Sequence, residues 1–202
     1  MLTGAGVSTD SGIPDYRGRD GEWKHHRPVM YQDFVGSADT RRRYWGRSLV
    51  GWRRVASGRP NAAHAALAAL EGHGRVHHLV TQNVDGLHQR AGSRAVTDLH
   101  GRLDAVACLG CDRRIGRAAF QARLEALNPG WDPARERLRP DGDVELADAD
   151  HSRFVVPGCT GCGGILEARG GVLRRERAAP ACRRLPWPAS TRPTRCWSSA
   201  RR

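Results

Sequence analysis

Two Cys-x2-Cys pairs, Cys108 with Cys111 and Cys159 with Cys162, are the strongest chemical signal in this 202-residue sequence. Four thiolates form the tetrahedral set that structural Zn²⁺ prefers, and they leave no open position for a reacting ligand. The 47 residues between the pairs exceed the spacing of a simple zinc ribbon, which implies an insertion between them. Redox-active pairs are the alternative. We expect a structural zinc ion.

A run of small residues, Gly4-Ala5-Gly6-Val7-Ser8, lies near the start of the chain. Glycines at this spacing let a backbone approach a pyrophosphate, and the N–H groups at the following helix start bind the anion. The strand that should precede this loop is reduced to Met1-Leu2-Thr3, and small residues also form plain turns. The run therefore predicts a nucleotide loop only in combination with other motifs.

The residues Asp15, Tyr16 and Arg17 place a carboxylate, an aromatic ring and a guanidinium directly after a rigid Ile13-Pro14 step. A loop of this composition could close over a bound cofactor. The alternative is an exposed turn in which an Asp15–Arg17 ion pair contributes little stability.

Polar side chains follow a β-rich run predicted over Val76–Thr81, namely Gln82, Asn83 and Asp85. In an open parallel sheet, ligands bind beyond the carboxyl ends of the strands. An Asn with an Asp supplies the donor and acceptor that a primary carboxamide needs. The same residues also suit a helix N-cap, so both interpretations stay open at this point.

His100 follows a second β-rich run, predicted over Ala95–Leu99. A histidine at the carboxyl end of a strand is placed to act as a general base, because its ordinary pKa is near 6.5. A single histidine is more often structural, and position alone does not decide. The other eight histidines lie on predicted helices, within a strand or in polar loops, and are weaker candidates.

The elements between these motifs alternate. Pro60-Asn61 and the apolar run after it predict a helix that stops at Gly72 or Gly74, and another short helix is expected over Ala118–Leu127. Aromatic and apolar residues recur at helical spacing before them: Tyr44, Trp45, Leu49 and Trp52. Helices that alternate with short strands predict an α/β fold with a parallel sheet.

The net charge of +12 is concentrated in the tail. Residues 168–202 hold ten arginines and one acid, Glu176, so they carry +9 and leave only +3 for residues 1–167. The tail has no core pattern, and Cys182 and Cys196 within it match no motif. Its composition is that of an out-of-frame translation of GC-rich DNA, and we hypothesise a frameshift or a disordered tail from about residue 167.

No run approaches the roughly 18 apolar residues of a membrane span, and the N-terminus lacks the pattern of a signal peptide. We therefore expect a cytoplasmic protein without membrane association. Nucleic-acid binding through the tail is an alternative function, but the nearly neutral body does not favour it.

Taken together and in this order, the motifs resemble the sirtuins. The match runs through TGAGVSTDSGIPDYRG, PNAAHAALAAL, TQNVDGLHQRAG, DLHG and the two cysteine pairs, and it covers residues 2–166. The wording of several motifs is most similar to the class II branch, which includes the mitochondrial lipoamidase and many bacterial relatives. The resemblance implies an NAD-dependent protein-lysine deacetylase or deacylase that acts on acylated-lysine proteins.

The resemblance also implies the architecture. A Rossmann-like parallel sheet, incomplete here, would occupy residues 1–102 with a helical insertion at about 20–60. A zinc-binding module would span 103–166, and the anomalous tail would span 167–202. Because the family's later strands and its Gly-Ser-Ser loop are not present, we expect poor folding and feeble activity, and an inactive fragment is the second alternative function.

The resemblance assigns a role to each motif. NAD would lie between the two parts of the protein, with His100 as the catalytic base that deprotonates a ribose hydroxyl. The predicted cofactor-binding residues are Gly4, Ala5, Gly6, Ser8, Asp15, Tyr16, Arg17, Gln82, Asn83 and Asp85. The predicted zinc ligands are Cys108, Cys111, Cys159 and Cys162. The oligomeric state and the acyl group stay undetermined.

Overall fold

The computed structural model describes residues 1–15, 29–131, 137–138, 144–145 and 151–170, with 137–138 and 144–145 described by their backbone only. Two predicted cofactor residues, Tyr16 and Arg17, lie outside these ranges. The same holds for Cys182, Cys196 and the tail beyond residue 170.

The helices of the first part are α1 (Tyr31–Gly36), α2 (Ala38–Ser57), α3 (Ala62–Gly72) and α4 (Leu87–Arg90). Helix α3 begins where the sequence predicts, because the Asn61 side chain accepts hydrogen bonds from the N–H groups of Ala63 and His64. It ends at Gly72, the first of the two predicted stops. Helix α2 contains the four aromatic and apolar residues that recur at helical spacing.

Three parallel strands form the first sheet, in the order β1 (Leu2–Thr3), β2 (Leu79–Thr81) and β3 (Val96–Asp98). The predicted α/β fold with a parallel sheet is confirmed. The strand expected over Val76–Thr81 starts only at Leu79, because the N–H groups of Arg75 and Val76 both donate to the Leu70 carbonyl and close α3.

A second part follows the parallel sheet. Its elements are β4 (Ala105–Cys108), β5 (Arg114–Gly116), α5 (Arg117–Leu127), β6 (Arg137–Leu138), β7 (Val144–Glu145) and β8 (Leu166–Ala168). Strands β5, β4 and β8 form an antiparallel sheet in that order, and β6 pairs with β7. Helix α5 agrees with the helix predicted over Ala118–Leu127 and begins one residue earlier.

The sequence assigned residue 167 to the tail, yet Glu167 and Ala168 belong to β8 and are 3% and 1% exposed. Val106 of β4 pairs with Ala168, and Ala107 pairs with Glu167. The antiparallel sheet therefore extends two residues past the predicted end of the zinc-binding module at 166.

The apolar core lies between α2 and the antiparallel sheet. Its members share near-complete burial: Phe34, Tyr44, Trp45, Leu49, Val106, Phe120, Leu124 and Leu166. The Trp45 and Phe120 rings meet edge to face with centroids 4.6 Å apart, which joins α2 to α5. Among the described residues, no helix is both long and apolar enough to cross a membrane.

Candidate active site and cysteine cluster

Three loops leave the parallel sheet at the same edge, because all three strands run in the same direction. The Gln82 N–H donates to the Thr3 carbonyl at 3.0 Å, and the Leu99 N–H donates to the Thr81 carbonyl at 2.9 Å. The loop at Gly4, the loop at Gln82 and the turn at His100 therefore begin side by side, where a ligand of a parallel sheet binds.

The loop after β1 is short and tightly wound. Gly4 is extended, with φ −141° and ψ −172°, and a 3-10 helix follows over Ala5–Ser11. The Asn61 side-chain amide donates to the Val7 carbonyl at 2.8 Å, so the start of α3 holds the loop from the side. Gly12 ends the 3-10 helix with φ +81°, a conformation that favours glycine.

Ser8, Asn83 and Asp85 form one hydrogen-bonded group. Ser8 is fully buried, and its hydroxyl donates to Asp85 Oδ2 at 2.7 Å while it accepts from Asn83 Nδ2 at 3.0 Å. The N-cap residue of α4 is Gly86, so neither Asn83 nor Asp85 occupies the N-cap position. Asp85 still supports the helix start from one position earlier, because the Leu87 N–H donates to Asp85 Oδ1 at 2.8 Å, and it lies at the sheet edge.

Gln82 is exposed beside the first loop, since a Cβ added to Gly4 would lie 3.9 Å from Gln82 Oε1. A side chain on Gly4 would thus come into contact with this amide. Asp15, partly buried, is the described member of the predicted mobile loop.

His100 lies two residues beyond β3 and its side chain is exposed. The surrounding protein still removes part of its hydration, and this desolvation lowers the pKa of the imidazole from its ordinary value of 6.5. The ring is therefore neutral at pH 7, which is the form that accepts a proton. Gly101 follows with φ +79°, and its N–H donates to the Asp98 carbonyl at 3.3 Å.

The backbone of Arg169 passes directly over this turn. A Cβ added to Gly101 would lie 1.8 Å from the Arg169 carbonyl oxygen, and one added to Gly170 would lie 2.9 Å from Val84. The two glycines allow the chain that leaves β8 to cross the His100–Gly101 turn. The sequence contains His100-Gly101, but the contact with Arg169 lies 68 residues away and is invisible without the fold.

Two histidines that the sequence ranks below His100 as candidates lie buried behind the site. His64 and His88 are 0% and 1% exposed, and their ring centroids lie 4.8 Å apart. His88 Nε2 pairs with Thr3 Oγ1 at 2.9 Å, and His64 Nδ1 lies 2.9 Å from Asn61 Oδ1. Desolvation lowers the pKa of both rings, and the Asp85 carboxylate opposes that shift only in part. The sequence does not indicate that His88 contacts Thr3 or that His64 contacts Asn61.

Asp98, at the end of β3, is a further polar residue near the site. Gln89 Nε2 donates to both of its carboxylate oxygens at 3.0 Å, which ties α4 to β3. Desolvation raises the pKa of Asp98 above its ordinary value. The only sequence signal for it was its place two residues before His100.

The four predicted zinc ligands lie together. The sulfur atoms of Cys108, Cys111, Cys159 and Cys162 all lie within 4.8 Å of one another. Two close contacts cross between the pairs: the sulfur of Cys108 lies 3.5 Å from that of Cys162, and the sulfur of Cys111 lies 3.7 Å from that of Cys159. These separations are too long for disulfide bonds, whose S–S length is about 2.05 Å.

The cluster fits a structural zinc ion. Metal–sulfur bonds of about 2.3 Å in a tetrahedron place sulfur atoms about 3.8 Å apart, close to the observed contacts. Backbone N–H groups, that of Gly161 foremost, lower the pKa of the Cys159 thiol, whereas the neighbouring Cys108 and Cys111 sulfurs raise the pKa of Cys162. Four neighbouring thiolates repel one another unless a cation lies between them. Contacts that cross between the pairs favour this shared site over two independent redox pairs.

A family model described as the Sir2 family matches residues 4–172. An NAD-dependent protein deacetylase of Xanthomonas axonopodis pv. citri (strain 306) is 58% identical over 167 residues, which cover 83% of this chain and 57% of the relative. A protein of the same name from Bordetella bronchiseptica (strain ATCC BAA-588 / NCTC 13252 / RB50) is 53% identical over 185 residues, 90% of this chain and 68% of the relative.

Solved structures agree. A structure titled "Sir2-p53 peptide-NAD+" has a TM-score of 0.60 and 29% identity, and the match covers 83% of this chain and 56% of that one. Another, titled "Sir2 bound to acetylated peptide", has a TM-score of 0.60 and 27% identity, with 85% and 57% covered.

A Rossmann-like parallel sheet joined to a four-cysteine module defines a class of two-part α/β proteins. Within that class, this chain belongs to the Sir2 family, the sirtuins. The resemblance to the sirtuins inferred from the motifs is confirmed at the level of the family. The chain spans 57% of the length of the Xanthomonas relative.

Proposed function

We propose that this chain carries the nucleotide loop, the nicotinamide pocket and the catalytic base of an NAD-dependent protein-lysine deacylase. One observation carries the proposal: Ser8, Asn83 and Asp85 converge in one hydrogen-bonded group at the sheet edge from which His100 also emerges. The names of the relatives and the titles of the matched structures support NAD and an acylated lysine as substrates.

The polar group fits recognition of nicotinamide. Its carboxamide needs a donor and an acceptor, and Asn83 and Asp85 offer both. Ser8 fixes their orientation, because it contacts the amide nitrogen of Asn83 and a carboxylate oxygen of Asp85 at once. A fixed pair of polar groups lowers the entropy cost of aligning the leaving group.

The nucleotide loop fits the phosphates. Gly4 is extended at the end of β1, and the N–H groups of the following 3-10 helix start beyond it. Asn61 holds the Val7 carbonyl, so this backbone stays in place when an anion binds. Gln82 lies next to Gly4 and suits a ribose hydroxyl. Asp15, Tyr16 and Arg17 are proposed as further cofactor-binding residues, and Asp15 is the one of them that the structure describes.

The chemistry assigns His100 to the second half of the reaction. The acyl oxygen of the lysine amide attacks the anomeric carbon of the ribose as the bond to nicotinamide breaks. His100 then takes the proton of a ribose hydroxyl, whose oxygen attacks the former amide carbon. The carbon–nitrogen bond then breaks and lysine leaves as the amine. One water adds to the same carbon, and the bond from that carbon to the anomeric oxygen breaks, so the products are nicotinamide, free lysine and an O-acyl-ADP-ribose. The zinc ion supplies structure and no step of this chemistry, because its four positions are filled.

Exchange of labelled nicotinamide into NAD tests this order of events. In the presence of an acetyl-lysine peptide, Asn83→Ala should abolish exchange, because the leaving group is no longer aligned. His100→Ala should retain exchange, since the base acts after the bond to nicotinamide breaks. Loss of exchange in His100→Ala, or retention in Asn83→Ala, contradicts the proposal.

Two finer assignments belong to the same proposal. The residues of GVSTDSGIPDYRG and RYWGRSLVGW support the class II branch of the family, and we place the protein in the cytoplasm.

Transfer of ADP-ribose to a protein is the competing activity at the same site. Labelled NAD distinguishes the two, because transfer leaves label on protein and deacylation leaves it on a small molecule.

A further inference from the structure

Arg117, the first residue of α5, is a cation buried in the core at 1% exposure. Its guanidinium carbon lies 5.5 Å from the ring centroid of Trp45 and 5.0 Å from that of Trp52. Desolvation lowers its pKa to about 10, so it still carries its charge at pH 7. Two aromatic faces offset part of the cost of burying that charge.

The guanidinium also binds α2 through hydrogen bonds. One terminal nitrogen donates to the Ser48 carbonyl at 3.0 Å and to its hydroxyl at 3.2 Å, and the other donates to Gln121 Oε1 at 2.6 Å. Gln121 in turn donates to the Leu49 carbonyl at 2.8 Å. Hydrogen bonds from a charged donor are stronger than neutral ones, so this contact fixes α5 along α2.

Two hydrogen bonds connect the group of Arg117, Trp45 and Trp52 to chain segments next to the cysteines. The Arg117 N–H donates to the Asp104 carbonyl at 2.8 Å, directly before β4. The Trp45 indole N–H donates to the Leu166 carbonyl at 3.2 Å, and Leu166 pairs in register with Cys108. The clamp formed by Arg117, Trp45 and Trp52 therefore contacts β8 and the residue directly before β4, the strand that contains Cys108.

At its other end, α2 reaches the nucleotide loop. A Cβ added to Gly58, which follows α2, would lie 3.6 Å from Ile13 Cδ1 and 3.7 Å from the Ser11 carbonyl. Ile13 is 2% exposed, so this contact is packed. Helix α2 thus connects Arg117 and the Leu166 strand to the residues that end the 3-10 helix.

We propose that Arg117 is a positioning residue that couples metal binding at the cysteine cluster to the placement of α2. The inference rests on the zinc ion that the cluster fits, and it does not depend on catalysis. Coupling between two sites is reciprocal. If zinc holds the clamp together, the clamp must strengthen zinc binding by the same factor, although the hydrogen bonds and ring contacts of Arg117 within the described residues go to other side chains and backbone groups than the cysteines.

Zinc affinity of the purified full chain tests the proposal, measured by competition with a chromophoric chelator. Arg117→Met, which keeps much of the side-chain volume and removes the charge, should weaken zinc binding about tenfold, within the usual range of coupling energies. Arg117→Lys keeps a cation between the rings but loses the two separate nitrogen donors of the guanidinium, so its zinc affinity should be intermediate. Arg114→Met, at an exposed position in β5, is the matched control and should stay within about twofold of wild type.

Tryptophan emission reports the other side of the coupling. Chelation of zinc should shift the emission of the wild-type chain to longer wavelength, because Trp45 and Trp52 lose their packing. Wild-type zinc affinity in a folded Arg117→Met chain would overturn the proposal whether or not the emission shifts, since the charge of the clamp would then be lost without effect on the metal.

A second variant keeps the test decisive if Arg117→Met does not fold. Trp52 is only partly buried, and Trp52→Leu removes one face of the clamp while the core around Trp45 stays intact. About fivefold weaker zinc binding in Trp52→Leu supports the coupling, and unchanged binding refutes it. Failure of the proposed deacylase activity would leave all of these zinc measurements unaffected.

Discussion

The Ser8 hydroxyl donates to the Asp85 carboxylate at 2.7 Å, although 77 positions separate the two residues in the sequence. This bond joins the loop after β1 to the loop after β2, and Asn83 completes it through the same hydroxyl. The two motifs that the sequence offered separately, a small-residue loop and an Asn-x-Asp segment, are therefore one site.

Replacement of Ser8 by Ala should disturb both stability and nucleotide binding. Loss of a buried hydroxyl with two partners is expected to cost about 1–3 kcal/mol of unfolding free energy. The affinity for NAD should fall because Asn83 and Asp85 lose their common anchor. Urea denaturation and calorimetric titration with NAD measure the two effects.

Thr9→Ala is the matched control, since the exposed Thr9 hydroxyl contacts only the Gly6 carbonyl among the described residues. It should leave NAD affinity unchanged. Equal loss of affinity in both variants would contradict a specific role for Ser8.

Gly101 should not tolerate a side chain. In Gly101→Ala the new Cβ would meet the Arg169 carbonyl at 1.8 Å, and the φ of +79° adds its own strain. Gly74→Ala has a similar φ of +70° and open space around it, so it should cost only the 1–2 kcal/mol or so of the left-handed conformation. Thermal denaturation should show a clearly larger loss for Gly101→Ala, and equal losses would mean that Arg169 does not cross this turn.

The buried pair His64 and His88 should make stability depend on pH. Burial lowers the pKa of both rings in the folded chain, so below pH 6.5 the unfolded chain binds more protons. Stability should be at its plateau above pH 6.5 and fall as the pH drops from there toward the lowered pKa values. Urea midpoints between pH 8 and pH 5 measure this.

The pKa of His100 is also lowered, so the urea midpoints should be measured in a His100→Ala background to isolate the buried pair. The exposed His73 offers the control variant His73→Gln, which should keep the slope. A flat stability profile across pH 6.5 would contradict a neutral buried pair.

Catalysis should depend on the protonation of His100 in the same direction. Because desolvation lowers its pKa, the base stays neutral at pH 7 and is lost only below pH 6.5. The value of kcat/KM for deacylation should therefore be flat from pH 7 to pH 8 and decline on the acidic side of 6.5. A decline that already begins above pH 7 would point to a different group.

Much of this organisation could be predicted from the sequence because it is local. Asn61 at a helix start, four cysteines at metal spacing and polar residues after β-rich runs all carry their meaning within a few positions. The parallel sheet followed from the alternation of helices and strands. The predicted strand at Val76–Thr81 was longer than the observed β2 because the prediction used local composition alone. The hydrogen bonds from the Arg75 and Val76 N–H groups to the Leu70 carbonyl compete with strand formation, and the composition does not reveal them.

The parts that escaped prediction are contacts across long stretches of chain. His64 and His88 look like ordinary helix residues until α3 and α4 pack together. Arg117 looks like a surface arginine at the start of a helix until Trp45 and Trp52 enclose it. Glu167 and Ala168 looked like the start of a tail, and only their pairing with β4 places them in a sheet. Each depends on a partner that the sequence does not identify.

Formation of O-acetyl-ADP-ribose under single-turnover conditions tests the central claim most directly. The purified zinc-loaded chain, in excess over an acetyl-lysine peptide, is incubated with NAD, and the products are followed by mass spectrometry. We expect deacetylated peptide, nicotinamide and O-acetyl-ADP-ribose in equal amounts, and no O-acetyl-ADP-ribose from His100→Ala. Deacetylation that does not require NAD, or that proceeds at an unchanged rate in His100→Ala, would contradict it.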